Sequence, residues 1–116
     1  MLSFEEINKI IYAFYDIAKK DVLIGYHFRV IHDFDEHIPR ISDFWNLQLN
    51  GELQNKSNLP FNLLNIHKPL KINLGEIHRW VQLFEENLKT FDLDNKTHEL
   101  WMKKVHHFKE KLILFL

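Results

Sequence analysis

Four segments of the chain repeat apolar residues at intervals of three and four, which is the spacing of one face of an α-helix. The repeats predict helices over residues 4–18, 35–49, 74–90 and 95–115. Strand signals are weak by comparison, because valine is scarce and no segment alternates apolar and polar residues. We therefore expect an all-α fold built on four amphipathic helices.

Polar residues at the predicted helix starts support these boundaries. Ser3 and Asn73 are each followed by a glutamate three residues later, which is the pattern of a capping box. Asp94 stands directly before the last helix, where its carboxylate can accept from free backbone N–H groups. Three of the four predicted helices therefore have an N-cap in the sequence.

Two connections join the predicted helices. Residues 21–34 are short and aromatic and have room for one or two helical turns. Residues 50–73 are long, and Pro60 and Pro69 bracket the apolar stretch "FNLLNIH", which predicts one further short helical turn. A connection of this length in a small domain is commonly functional.

Composition and charge narrow the function classes. The 116 residues carry a net charge of −1, so electrostatics gives no reason to expect a nucleic acid or an anionic membrane as a partner. The absence of cysteine excludes disulfides and thiolate-bound metal or iron–sulfur sites. No apolar run approaches the roughly 20 residues of a membrane span, and acidic residues stand where a secretory signal would have basic ones. We expect a single domain over residues 1–116, located in the cytoplasm.

Two histidines stand in unusual places. His37 shares the apolar face of the second helix with Ile41, Phe44 and Gln48, and His67 closes the apolar turn before Pro69. A buried imidazole needs a polar partner or a ligand, so each is either a hydrogen-bonded core histidine or a binding residue. Five other histidines show no metal-ligand spacing and are expected at the surface or its boundary: His27, His32, His98, His106 and His107.

Three stretches carry a resemblance to a known family: "IYAFYDIAKKDVLIGYHF", "EHIPRISDFW" and "NIHKPLKINLGEIHRWVQLFEENL". In order, they match a Phe-Tyr pair followed by D-x-x-[LI]-G-x-x-F, a histidine followed seven and eight residues later by Phe-Trp, and a histidine followed by F-x-R-W-[LV]-x-L-F. The chain resembles the group III truncated haemoglobins over about residues 4–91, with Ile77 where the last motif has phenylalanine. The resemblance implies a truncated globin-like 2-over-2 helical sandwich that holds one haem b.

The resemblance also implies roles for individual residues. His67 matches the proximal histidine that binds the iron of a penta-coordinate haem. Tyr15, His37 and Trp80 match the polar residues of the distal, gas-binding side. Phe28 matches a phenylalanine that wedges the haem. Other residues are expected to line the haem or contact a propionate: Phe14, Arg40, Ile41, Phe44 and Leu64.

The function that follows from the resemblance is reversible binding of a diatomic gas, foremost O₂ and also NO or CO, in oxygen binding or transport. The alternative is a redox enzyme that uses the same haem, an NO dioxygenase or a peroxidase-like enzyme, because polar distal donors also polarise an O–O bond. That enzyme would require a reductase partner or an oxidant, and the chain has no flavin or NAD motif. A third interpretation is a haem-free four-helix interaction module.

Overall fold

The computed structural model describes residues 2–29, 34–51 and 72–114, and within these ranges the chain forms helices without strands. The described helices are α1 (Phe4–Ala18), α2 (Gly25–Arg29), α3 (Phe34–Asn50), α4 (Leu74–Lys89) and α5 (Asn95–Ile113). The all-α prediction is confirmed, and the four long helices begin and end within one or two residues of their predicted bounds. The turn predicted between Pro60 and Pro69 lies outside the described residues.

The helix starts are fixed by the predicted caps. In α1 the Ser3 hydroxyl accepts from the Glu6 backbone N–H at 3.1 Å, and the Glu6 carboxylate accepts from the Ser3 N–H at 3.2 Å. The same reciprocal pair forms at the start of α4, between Asn73 and Glu76. Asp94 caps α5 by accepting from the Thr97 N–H at 2.7 Å. Each cap satisfies donors that the helix cannot pair itself, and contributes about 1 kcal/mol.

The helices pack as two stacked pairs. α1 lies against α3, α4 lies against α5, and α1 also contacts α4, so that α1 joins the two pairs. The spacing of apolar residues in α1 predicts that Phe4, Ile7, Ile11, Phe14 and Ala18 face the core. All of these are buried there except Phe4, which is partly buried. Ile10 and Ile17 are expected to widen this face; Ile10 is 2% exposed and does so, whereas Ile17 is 41% exposed and does not.

The buried face of α3 differs from the predicted one. The buried apolar side chains of α3 are Ile38, Ile41 and Trp45, each 3% exposed or less, and the polar Ser42 and Asn46 are buried beside them. His37 and Phe44 are only partly buried, so the face that meets the core is rotated by about one residue, and Ile41 is the position common to both faces. Both sides of α3 carry apolar residues, and the packing partners decide which is buried deeper.

Two buried polar contacts hold α1 in register with its neighbours. The Ser42 hydroxyl on α3 donates to the Asn8 side-chain oxygen at 2.8 Å. The Asn87 side-chain amide on α4 donates to the Ile10 carbonyl at 3.0 Å. Because a buried polar group without a partner is costly, these bonds disfavour any sliding of α1 along either helix.

Replacing Ile11 by alanine tests the central position of α1. Ile11 is 1% exposed, and removing a buried isoleucine of this kind should lower the free energy of unfolding by about 2–5 kcal/mol. The control is Ile17→Ala on the same helix, which should change it by less than about 0.5 kcal/mol because this side chain is exposed. Urea unfolding followed by circular dichroism measures both, and equal losses in the two variants would contradict the packing described.

Candidate functional site

Four of the predicted site residues meet where α1, α2 and α3 come together. The ring of Tyr15 lies 5.2 Å from that of Phe28 and 5.9 Å from that of His37, measured between ring centroids. The Tyr15 and His37 rings are nearly parallel, with an interplanar angle of 26°. Phe14 completes the group through an edge contact with Phe28 at 6.2 Å. We call these four residues the Tyr15 cluster.

Trp80 reaches the same region from α4 through Phe84. The Trp80 and Phe84 rings are 5.8 Å apart, and Phe84 lies 4.9 Å from Phe14 of the Tyr15 cluster. Trp45 and Trp101 also contact Phe84, at 5.5 and 5.7 Å, so this one ring touches all three tryptophans of the chain. The spacing of apolar residues over 74–90 predicts that Phe84 faces the core, but it does not predict which rings Phe84 meets.

The Tyr15 hydroxyl is suited to donate a hydrogen bond. Its ring is partly buried against the core, and burial raises the pKa of Tyr15 well above its ordinary value. The neutral phenol is the form with a proton to donate. The hydroxyl therefore stays protonated throughout the physiological pH range.

The remaining predicted site residues that the structure describes, Arg40, Ile41 and Phe44, lie on α3. Ile41 of α3 is buried in the core, and its neighbour Arg40 on the same helix is partly buried. Phe44 packs on Trp45 and on Phe108, each 5.2 Å away, rather than beside Tyr15. The predicted iron ligand His67 and the haem-lining Leu64 lie outside the described residues.

A second polar group, which the sequence did not predict, joins α2 to α4. The Glu76 carboxylate accepts from the Tyr26 hydroxyl and lies 2.9 Å from the His27 Nε2 atom. Burial alone would raise the pKa of Glu76, but hydrogen bonds from the Asn73 backbone, Tyr26 and His27 outweigh burial and hold the pKa below its ordinary value. His27 thus lies at the boundary between surface and core, as expected, but it has a specific partner, Glu76, which is 49 residues away in the sequence.

An ion pair lies three residues further along α4. Arg79 donates to the Asp21 carboxylate at 2.8 and 3.0 Å, and the Asp21 side chain is only 7% exposed. The same carboxylate accepts from the backbone N–H groups of Leu23 and Ile24, which shapes the turn before α2. Hydrogen bonds from Arg79 are the main cause that holds the pKa of Asp21 below its ordinary value.

One cavity touches the Tyr15 cluster, and a larger one lies apart from it. The smaller, of about 60 Å³, lies between α1 and α3 and is lined by Tyr12, Tyr15, Asp16, Lys19 and Ile38. The larger, of about 300 Å³, lies near Leu49 and Leu100, and none of its described lining residues belongs to the predicted site. In the described ranges, no three histidine or acidic side chains gather as a metal site. None of the described helices is long and apolar enough to cross a membrane.

Three rings of the Tyr15 cluster, together with Trp80, form a partly exposed surface that suits one side of a flat apolar ligand. Tyr15, Phe28, His37 and Trp80 are each partly buried against the core, so each ring keeps part of its surface uncovered. Cofactor sites are typically lined by apolar and aromatic side chains, with a small number of polar groups among them. The polar groups here are the Tyr15 hydroxyl, the His37 imidazole and the Trp80 indole N–H. These groups can hydrogen-bond a small polar ligand that is bound beside a large apolar one.

Comparison with known proteins supports this view of the fold. No protein-family model and no curated protein matches the chain. Among solved structures, the group III truncated hemoglobin from Campylobacter jejuni matches with a TM-score of 0.82 and 24% sequence identity. The match covers 97% of this chain and 89% of the other. The truncated-globin fold predicted from the sequence is therefore confirmed.

The Asp21–Arg79 ion pair should make stability depend on pH. The pKa of Asp21 is lowered in the folded state, so its contribution is present above the unfolded pKa of about 3.9 and is lost as the pH falls through the folded pKa. Asp21→Asn should therefore cost about 1–3 kcal/mol at neutral pH, and the difference from wild type should shrink as the pH falls from about 5 to about 3.

Urea unfolding at a series of pH values measures this dependence. Asp92→Asn, at an exposed carboxylate, is the matched control and should remain within about 0.5 kcal/mol of wild type at neutral pH. A difference between Asp21→Asn and wild type that stays constant, or grows, as the pH falls would contradict the assigned role of the ion pair.

Proposed function

We propose that the chain is a haem protein that binds a diatomic gas, O₂ foremost, in a polar distal pocket. The observation that carries the proposal is the position of Tyr15 between Phe28 and His37, on a fold shared with a protein named as a truncated hemoglobin. This position gives a protonated donor an apolar setting, in which a hydrogen bond is stronger than in water.

Haem b would be held by residues of several segments. His67 is the proposed ligand of the iron, with the second ring nitrogen free to donate to a backbone carbonyl and so fix the tautomer. Phe28 and Ile41 would contact the macrocycle, and Arg40 would pair with a propionate. Phe14, Phe44 and Leu64 are proposed to contribute apolar lining. When bound, ferrous haem supplies an iron atom that takes up the gas.

The distal residues would set how long the gas stays. Tyr15 and Trp80 each have one N–H or O–H proton to donate, and His37 offers either a donor or an acceptor according to its tautomer. Hydrogen bonds to a charged acceptor contribute about 1.5–3 kcal/mol each. Such donors stabilise a partly anionic ligand more than a neutral one, so Tyr15, Trp80 and His37 would favour retention of O₂ over its rapid release and would favour CO less.

Replacing His67 by alanine tests the proposed iron ligand. The wild-type protein mixed with haemin should show a Soret band, and His67→Ala should abolish or shift that band because the axial nitrogen is gone. His107→Ala, at an exposed position on α5, is the control and should leave the band unchanged. A band that is unperturbed in His67→Ala would rule out this histidine as the ligand.

Replacing Tyr15 by phenylalanine tests the distal donor. Loss of the hydroxyl should speed O₂ dissociation by about tenfold or more, and Trp80→Phe should act in the same direction. Stopped-flow displacement of O₂ by CO measures the rates. Tyr12→Phe is the control, because this tyrosine is 47% exposed and donates instead to Asp35, at 3.0 Å. If Tyr15→Phe and Trp80→Phe both kept the wild-type rate, these two groups would not be the distal donors.

A further inference from the structure

Glu76 does more than cap a helix. The chain contains a matched capping glutamate, Glu6 of α1, which is exposed and, among the described residues, pairs with Ser3. Glu76 forms the same capping box with Asn73, yet its side chain is only 8% exposed and takes two further donors from α2. Since α1 is capped without burial of its carboxylate, the burial of Glu76 needs another explanation. We call Glu76 and its two partners, Tyr26 and His27, the Glu76 clamp.

The clamp and the neighbouring ion pair together fix the orientation of α2. In the clamp, α4 supplies the acceptor and α2 supplies the donors. In the ion pair, α4 supplies the donor through Arg79, and the turn before α2 supplies the acceptor through Asp21. The acceptor lies on α4 in one contact and on the segment before α2 in the other. If the segment 21–29 packed on α4 in the opposite direction, Glu76 would face the Asp21 carboxylate and Arg79 would face the donors of α2, which is unfavourable. One orientation of the segment 21–29 on α4 satisfies both.

α2 depends on such contacts because it has only five residues. A helix this short has no stability of its own in water. It begins close against α1, where a Cβ atom on Gly25 would come within 2.8 Å of the Lys19 carbonyl oxygen. Phe28, near its end, meets Phe14 and Tyr15 on α1. Because Phe28 belongs to this short helix, the hydrogen bonds that hold α2 on α4 also keep Phe28 against Tyr15.

We propose that Glu76 is a positioning residue of the distal pocket. By holding Tyr26 and His27, it fixes Phe28 against the Tyr15 ring and so sets the direction in which the Tyr15 hydroxyl donates. Glu76 acts through Phe28 and does not touch the gas. The inference rests on the proposed function for its effect on the gas, whereas the contact between the two rings can be measured without haem.

The test uses two variants of the clamp and one control. Glu76→Gln removes the charge, and the double variant Tyr26→Phe, His27→Leu removes both donors while it leaves the capping box of α4 intact. If Glu76→Gln fails to fold, the double variant still tests whether the clamp positions Phe28. Glu85→Gln is the matched control, because it makes the same change on the same helix at a carboxylate whose histidine partner, His98, is on α5.

The first readout is the nuclear Overhauser effect between the Phe28 and Tyr15 rings in the ferrous CO form, which is diamagnetic. It should be strong in wild type and in Glu85→Gln, and weak in both clamp variants. The second readout is O₂ dissociation, which should speed up by about threefold to tenfold in the clamp variants, since the Tyr15 bond is misdirected rather than removed.

Two results would overturn the inference: an unchanged ring contact in the double variant, or a faster dissociation with the contact intact. If wild-type protein shows no Soret band with haemin, the proposed function fails instead. The ring contact, measured on the full chain without haem, then decides the positioning by itself.

Discussion

The contact between Phe14 on α1 and Phe84 on α4 is the interaction on which the described part of the molecule depends. Their ring centroids are 4.9 Å apart, and both side chains are 1% exposed. Tyr15 follows Phe14 in sequence, and Trp80 stands one helical turn before Phe84. This contact joins α1 to α4, and it links the two proposed distal donors through neighbouring rings.

Local patterns account for what the sequence could predict. Helix bounds and caps depend on residues three or four positions apart, and these patterns placed α1, α4 and α5 correctly. The buried face of α3 was harder, because both Phe44 and Trp45 are large and apolar, and only the positions of α1 and α5 decide which is covered. The family resemblance supplied the fold and the grouping of Tyr15 with Phe28 and His37, which periodicity alone could not give.

Long-range polar contacts were beyond sequence reasoning. His27 and Glu76 are separated by 49 positions, and nothing in either local sequence shows that they meet. The glutamate was recognised for its cap, which is a local signal, and its second role emerges only when α2 lies on α4. Ser42 and Asn87 are similar, since a polar residue on an apolar face predicts a partner without telling which one. The role of His67 remains a prediction.

The position of Phe84 among the three tryptophans has an optical consequence. Indole emission depends on the surroundings of the ring, and every indole of this chain lies within 5.8 Å of the same phenylalanine, between ring centroids. The intrinsic fluorescence of the protein therefore originates from one small volume at the centre of α4. This emission reports on the surroundings of Phe84, next to the proposed distal pocket, rather than on the molecule as an average.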